Sequence, residues 1–172
     1  NPVAMANAIK QNNSAGRVVR GGSTLTQQVI RLARKNQRRT YFEKIIEIIL
    51  ATRLEWRCSK ESILELYAAH APYGGNVVGL EMASWRYFGV QSHQLSWAES
   101  ATLAVLPNAP SLIYPGKNQQ KLMDKRNRLL AKLHQNGIID QQTYQLAIAE
   151  PLPQKPYDLP QIAPHLLERV AK

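Results

Sequence analysis

Apolar residues recur at helical rather than strand spacing along most of the chain. The pattern predicts a helix over 2–11, a turn-rich stretch up to the paired glycines, and a helix over 25–34. Thr40 then resembles an N-cap, with Glu43 completing a capping box for a helix that runs to about residue 58. The buried side of that helix is assigned to four apolar residues, Ile45, Ile48, Ile49 and Leu54.

The rest of the chain continues in the same pattern. Ser59 is the expected cap of a helix through about residue 69, and Asp140 that of a short helix ending before Pro151. Further helices are predicted over 77–88, 96–106 and 119–135. No alternation of apolar and polar residues is long enough to build a sheet, so the predicted fold class is mainly α. We expect one domain over 1–150, followed by a proline-rich linker over 151–172.

Positive charge is concentrated in the first third of the chain. The 172 residues carry a formal net charge of +10, and residues 1–60 hold 12 Lys or Arg against 3 Asp or Glu. Such an asymmetry indicates an anionic partner, such as a nucleic acid, a phosphate ligand or an anionic lipid, although scattered surface charge is the usual alternative. Four arginines fall within nine positions: Arg31, Arg34, Arg38 and Arg39. Arginine is suited to bidentate phosphate contact.

Several other classes of site lack support in the sequence. Cys58 is the single cysteine, so an internal disulfide is excluded. The four histidines do not have the spacing of a metal site, and no serine-histidine-aspartate arrangement is recognisable. No segment has the apolar length that a bilayer-spanning helix needs.

The stretch "GGSTLTQQVIRLARKNQRRTYFEKIIE", residues 21–47, carries the candidate chemistry. Lys44 and Glu47 share a helix face at i and i+3, which in the simplest interpretation is an exposed ion pair. The "GGSTLTQQ" segment lacks the ending of a P-loop, and its simplest interpretation is an N-cap at Ser23 or Thr24. Taken together, the polar loop, the cations and the carboxylate indicate a site for a diphosphate leaving group.

Four motifs in order resemble the peptidoglycan glycosyltransferases, glycosyltransferase family 51. "GGSTLTQQ" resembles the second signature motif and "RRTYFEKIIEIILATRLE" the third. "ILELYAAHAPYGGNVVGLEMASWRYFG" resembles the fourth and "LSWAESATLAVLPNAPSLIYP" the fifth. The wording of the fourth motif is closest to the penicillin-binding protein 1C branch. The resemblance covers nearly the whole chain and implies a lysozyme-like, mainly α glycosyltransferase domain.

The resemblance also implies a reaction and a set of site residues. Such enzymes polymerise lipid II into glycan strands with inversion at the anomeric carbon and release of undecaprenyl pyrophosphate. Glu47 and Lys44 are the implied catalytic residues. The implied ligands of the pyrophosphate and lipid II are Ser23, Thr24, Gln27, Arg31 and Arg39. A divalent cation, Mg or Mn, is the implied cofactor, and no organic cofactor is expected.

The chain departs from the family pattern at two places. The first motif, which carries the glutamate used as the main base, is not found, so the domain is expected to be truncated at its N-terminus and the isolated chain inactive or weak. Glu43 stands where the third motif usually has arginine, which puts one contact to the leaving group in doubt.

The implied cellular context is the periplasmic face of the bacterial inner membrane. The resemblance implies three partners: a membrane surface, lipid II and the growing glycan strand. It also implies a membrane-dipping lobe between the second and third motifs. In the full-length protein, an anchoring segment outside this chain and a transpeptidase domain downstream of it are expected. A non-catalytic module that binds lipid-linked glycan is the alternative. Nucleic acid is not an expected partner, since the arginine cluster lacks interleaved aromatic residues.

Overall fold

The computed structural model describes residues 23–35 and 40–158. The predicted helix over 2–11, the turn-rich stretch that follows it, Arg38, Arg39 and the end of the proline-rich segment lie outside these ranges. Contacts divide the chain into two compact units with a boundary between Ala71 and Pro72, a division that the sequence did not suggest.

The first unit consists, in its described part, of three helices: α1 (Leu25–Ala33), α2 (Tyr41–Arg57) and α3 (Lys60–His70). Each begins at a hydroxyl side chain that accepts a hydrogen bond from a backbone N–H three residues on. Thr24 caps α1, Thr40 caps α2 and Ser59 caps α3. The three caps satisfy amide groups that the first turn of a helix leaves unpaired, and they set the helix starts where the sequence predicted them.

Two expectations for α2 are wrong. The Glu43 carboxylate does not complete a capping box at Thr40, because it instead accepts a two-pronged hydrogen bond from Arg34. Ile45 and Ile49 are each 55% exposed rather than buried, and the buried residues of α2 are Glu47 and Ala51. The most buried part of α2 is therefore centred on the polar Glu47, since α1 presents matching polar side chains to it, and Ile48 and Leu54 are half-buried.

The second unit contains, in its described part, a short hairpin, four α-helices and two 3-10 helices, Ser92–Gln94 and Leu106–Asn108. The hairpin pairs β1 (Pro72–Gly74) with β2 (Val77–Val78), and the helices are α4 (Leu80–Phe88), α5 (Trp97–Val105), α6 (Gln119–Gln135) and α7 (Gln141–Ala149). The predicted helix over 77–88 begins late because Val77 and Val78 pair as a strand and Gly79 has a positive φ of 89°. Strands this short leave too little alternation to be recognised.

The core of the second unit forms where α5, α6 and α7 meet. Small and branched residues from these helices and the α6–α7 turn pack there, namely Ala98, Ala101, Leu130, Ile139 and Ala147. Arg126 is buried beside this core and donates to the carbonyl oxygens of Ile148 and Glu150 at 3.1 and 2.7 Å, where α7 ends. It thereby pairs carbonyl groups that a helix end leaves without internal partners.

The first residues of the proline-rich segment pack against this unit. The side-chain amide of Gln119 donates to the Pro153 carbonyl at 2.6 Å, and the Tyr157 N–H donates to the Arg86 carbonyl at 2.7 Å. The Tyr157 ring also lies against Gly89. Residues 151–157 thus make fixed contacts here, and the role of 151–172 as a linker stays a prediction.

Candidate active site

Lys44 is the centre of a polar cluster in the first unit. Its Nζ donates to Ser23 Oγ at 3.0 Å, to Gln27 Oε1 at 2.8 Å and to Glu47 Oε2 at 3.1 Å. An ammonium group has three N–H donors, so each of them has an acceptor. The lysine is held in one position by groups from the start of α1 and from its own helix.

Glu47 is the buried carboxylate of this cluster. Only 3% of the residue is exposed, and its two oxygens face two different cations. Oε2 accepts from Lys44, while Oε1 lies 3.4 Å from Nε of Arg31. Because a buried carboxylate is costly unless paired, these two cations account for its burial. We use the name polar cluster for Ser23, Gln27, Arg31, Lys44 and Glu47.

The polar cluster forms because α1 and α2 carry complementary polar faces. Gln27, Arg31 and Arg34 follow one another at helical spacing on α1. Their partners lie on α2, where Glu43 pairs with Arg34 and Glu47 with Arg31. Further along the same interface, Thr26 Oγ1 donates to Glu55 Oε1 at 2.6 Å. In these three pairs the residue numbers fall on α1 as they rise on α2, as antiparallel neighbours require.

The structure brings five of the seven predicted site residues together, and they are the polar cluster. Thr24 is the sixth, and its hydroxyl is occupied as the N-cap of α1, accepting from the Gln27 N–H at 3.2 Å. A role for Thr24 in holding the helix start that carries Gln27 is therefore visible, while direct ligand contact stays a prediction. Arg39 lies outside the described residues.

Charge in the described part of this region is largely balanced. Arg31 and Lys44 face Glu47, and Arg34 faces Glu43. The hydrogen bond from Arg34 holds the pKa of Glu43 below its ordinary value, and the same bond raises the pKa of Arg34. The cationic field predicted from the sequence is thus partly neutralised within the protein. In the described part of this region Lys44 and Arg31 share one carboxylate, and the exposed Lys35 adds a further positive charge.

Sequence reasoning missed the Arg34–Glu43 pair and the Thr26–Glu55 contact. Both join residues on different helices, so spacing within one helix gives no signal for them. The signal that was present is the polar face of α1, since Gln27, Arg31 and Arg34 share one side of a short helix otherwise rich in apolar residues.

A cavity in the second unit is lined by residues of the fourth and fifth motifs. About 550 Å³ in volume, it is lined by the β1–β2 hairpin and by the loop after α5, including Gly74, Gly75, Asn76, Tyr114 and Lys117. The Tyr87 hydroxyl lies 3.0 and 2.9 Å from the carbonyl oxygens of Tyr73 and Gly74 and fixes the hairpin. The cavity is therefore lined in part by the backbone of Gly74 and Gly75 and by the ring of Tyr114.

The chain belongs to the transglycosylase family, whose sequence profile matches residues 1–134. This confirms the resemblance to the peptidoglycan glycosyltransferases drawn from its motifs. Penicillin-binding protein 1C of Escherichia coli strain K12 is 40% identical over 164 residues, which are 95% of this chain and 21% of that relative. Penicillin-binding protein 1A of Aquifex aeolicus is 35% identical over 98% of this chain and 23% of its own length.

The structural comparison agrees with the sequence comparisons. A crystal structure of penicillin-binding protein 1A from Haemophilus influenzae matches with a TM-score of 0.55 and 29% identity, covering 65% of this chain and 17% of its own. The mainly α class predicted from the sequence is confirmed. The chain spans about a fifth of the length of the relatives it matches.

Proposed function

We propose that this chain is a peptidoglycan glycosyltransferase domain that polymerises lipid II into glycan strands, with inversion at the anomeric carbon and release of undecaprenyl pyrophosphate. The observation that carries the proposal is the polar cluster, in which a buried carboxylate holds two cations beside a hydroxyl and an amide. Family membership supports the reaction class, and the cluster supports the part of the reaction in which a diphosphate departs.

The cations are proposed to stabilise charge that grows on the leaving diphosphate. Glu47 holds Lys44 and Arg31 in place before the substrate arrives, so the two cations themselves do not have to move during the reaction. About a third of the Lys44 side chain is exposed, so an anion can reach it. Diphosphate oxygens are stronger acceptors for an ammonium than the neutral oxygens of Ser23 and Gln27, and would exchange with them. Arg39 is proposed as a further ligand.

Glu47 is proposed to orient the two cations rather than to accept the proton of the attacking hydroxyl. Both of its oxygens already face cations, Lys44 at Oε2 and Arg31 at Oε1. Glu43 is engaged by Arg34 in the same way. We therefore propose that the proton of the attacking hydroxyl goes to a different carboxylate, which the resemblance assigns to the family's first motif.

The donor set does not fit a divalent cation held by the protein. A metal ion at Glu47 would have to displace Lys44 or Arg31, and within residues 23–35 and 40–158 no three His, Cys, Asp or Glu side chains gather as ligands. We therefore propose that any Mg or Mn that takes part binds the oxygens of the diphosphate.

A lipid surface is proposed as the setting of the reaction. On α2, the face opposite Glu47 carries exposed apolar side chains, among them Tyr41 at 95% and Trp56 at 83% exposure, and the exposed Arg53 and Arg57 stand on either side of Trp56 in the sequence. Aromatic and cationic residues together are typical of surfaces that meet anionic lipid. None of the helices in the described ranges is both long and apolar enough to cross a bilayer. The periplasmic location, the anchor and a downstream transpeptidase domain remain proposals by analogy with the relatives.

The test is glycan synthesis from labelled lipid II by the full-length protein that contains this chain, compared with its Glu47→Gln variant. We expect long glycan and released undecaprenyl pyrophosphate from the unaltered protein and at least about a hundredfold less from the variant. Glu65→Gln, an exposed change on α3, is the matched control. Binding of lipid II without any glycan from the unaltered protein would favour the non-catalytic binding module instead.

A further inference from the structure

The ion pair between Arg34 and Glu43 is a second connection between α1 and α2, outside the polar cluster. Nε and Nη2 of Arg34 donate to the two carboxylate oxygens of Glu43, the second bond at 2.9 Å. Side-by-side bonds of this kind fix both the distance and the orientation of two groups. Glu43 is 13% exposed in its side chain and Arg34 31%, so the pair is only partly open to water.

The position of the pair in the chain is informative. Arg34 is the residue at which α1 ends, and Glu43 is in the first turn of α2, next to Lys44. The pair therefore joins the two helices at the ends of the segment that connects them. Ser23 and Gln27 lie at the N-terminal end of α1, whereas Arg34 lies at its C-terminal end. A shift of one helix along the other would move the Lys44 ammonium away from the side-chain oxygens of Ser23 and Gln27.

The direction of the pair also matches both helices. A cation at the C-terminal end of α1 and an anion at the N-terminal end of α2 each interact favourably with the helix dipole. A reversed pair, with the acid on α1 and the base on α2, would restore the mutual contact but would oppose both dipoles. Comparing the native pair with the reversed pair therefore separates the effect of the ion-pair contact from the effect of the helix dipoles.

Two simpler roles for Glu43 account for less of the geometry. A capping role uses its backbone N–H, which donates to Thr40 Oγ1 at 3.0 Å and does not need the carboxylate. A role as a free anion beside the substrate conflicts with the two bonds from Arg34, which occupy both oxygens.

We infer that Arg34 and Glu43 are positioning residues, whose ion pair fixes the register of α1 against α2 and so places Lys44 and Glu47 against Ser23, Gln27 and Arg31. The inference rests on the proposed function for its kinetic consequences. Its structural consequence, the fixed position of the Lys44 ammonium, does not depend on the reaction.

A double-mutant cycle in the full-length protein tests the inference. The variants are Arg34→Gln, Glu43→Gln, the double variant, and the reversed pair Arg34→Glu with Glu43→Arg. Each single change is expected to lower kcat by about tenfold and to change KM by less than about threefold, since it disturbs geometry rather than removing a ligand. The double variant should be no worse than either single one, because the contact is lost only once. The reversed pair should recover part of kcat.

A labelling experiment gives a readout that is independent of activity. The rate at which an amine-reactive reagent modifies Lys44 is followed by mass spectrometry, with Lys60 as the internal reference. Breaking the pair should raise Lys44 labelling several-fold, because the ammonium loses its fixed acceptors. Glu61→Gln is the matched control, since Glu61 is a first-turn glutamate of α3. It should change neither kcat nor Lys44 labelling.

Three results would overturn the inference. Additive losses in the double variant would show that the two residues act separately. A lower KM with unchanged kcat would show that Glu43 merely weakens the attraction of an anionic substrate. Unchanged Lys44 labelling in folded variants, with folding checked by Tm and by the milder Arg34→Lys change, would show that the pair does not position the lysine. If the unaltered protein makes no glycan, the proposed function fails, and labelling alone decides the inference.

Discussion

Nζ of Lys44 lies 2.8 Å from Oε1 of Gln27, across the interface between α1 and α2. The contact places a cation from the third motif on an amide from the second. Two segments that are separate in sequence therefore meet at one ammonium group. Since the same ammonium also contacts Ser23 and Glu47, its position depends on groups from both sides of this interface.

The first prediction concerns the shape of this cation. Lys44→Arg keeps the positive charge, but a planar guanidinium cannot direct hydrogen bonds to three acceptors grouped around one tetrahedral ammonium. We expect kcat for glycan synthesis to fall by about tenfold or more, about 1.4 kcal/mol in the barrier. Lys60→Arg, at the exposed start of α3, should leave kcat unchanged. Full activity of Lys44→Arg would mean that charge alone suffices.

The second prediction concerns pH. The hydrogen bond from Arg34 lowers the pKa of Glu43 from its ordinary value of 4.5. A lowered folded-state pKa gives a stabilisation that is fully present above the unfolded-state pKa and is lost as pH falls through the folded-state pKa. The Tm advantage of the unaltered protein over Glu43→Gln should be constant near neutral pH and should shrink as pH falls below about 4.5.

Thermal unfolding between pH 7 and pH 3 measures this effect. Glu65→Gln is the control, since Glu65 is exposed on α3, and its Tm difference from the unaltered protein should vary little over the range. A Glu43→Gln difference that stays the same down to pH 3 would show that ionisation of Glu43 does not contribute to stability.

The third prediction concerns Arg126. This residue is 1% exposed and donates to two carbonyl oxygens at the end of α7. Arg126→Ala leaves these two partly buried acceptors without their donor and removes a buried side chain, which together cost about 3 kcal/mol. Tm should fall by about 6–12 °C at roughly 2–4 °C per kcal/mol. Arg128→Ala, on the exposed side of α6, should shift Tm by only a degree or two, and equal shifts for both would contradict the assignment.

How far the sequence predicts this structure depends on whether the information is local. The starts of α3 and α7 follow from Ser59 and Asp140, whose side chains accept from the amides three residues on, as the sequence indicated. The buried face of α2 could not be obtained in this way. Ile45 and Ile49 favour an apolar core, whereas the observed packing depends on polar partners that α1 supplies.

The candidate site shows the same division. Ser23, Gln27, Arg31, Lys44 and Glu47 were identified from motifs, and the structure brings them together. What each one contacts could not be predicted, because Glu47 is buried only through cations on two helices. The role of Glu43 was obscure for the same reason, since its partner Arg34 lies nine residues away on another helix.

The fourth prediction concerns Gly74, at the cavity of the second unit. Its φ is +89°, and a Cβ added there would lie 2.8 Å from Cβ of Tyr114 and 2.9 Å from the Pro110 carbonyl oxygen. Gly137 provides a matched comparison, because its φ is +69° and an added Cβ meets nothing within 4 Å. Gly137→Ala should therefore cost only the backbone strain, about 1–2 kcal/mol.

Gly74→Ala should cost that strain plus about 1–3 kcal/mol for the steric conflict with the loop after α5. Because the hairpin and Tyr114 line the cavity, displacing either should also lower glycan synthesis, whereas Gly137→Ala should leave it unchanged. Tm and polymerisation rate, measured on both variants, test the two parts separately. Equal losses of Tm would show that the loop moves aside at no cost, and an unchanged rate in Gly74→Ala would show that the cavity does not take part in the reaction.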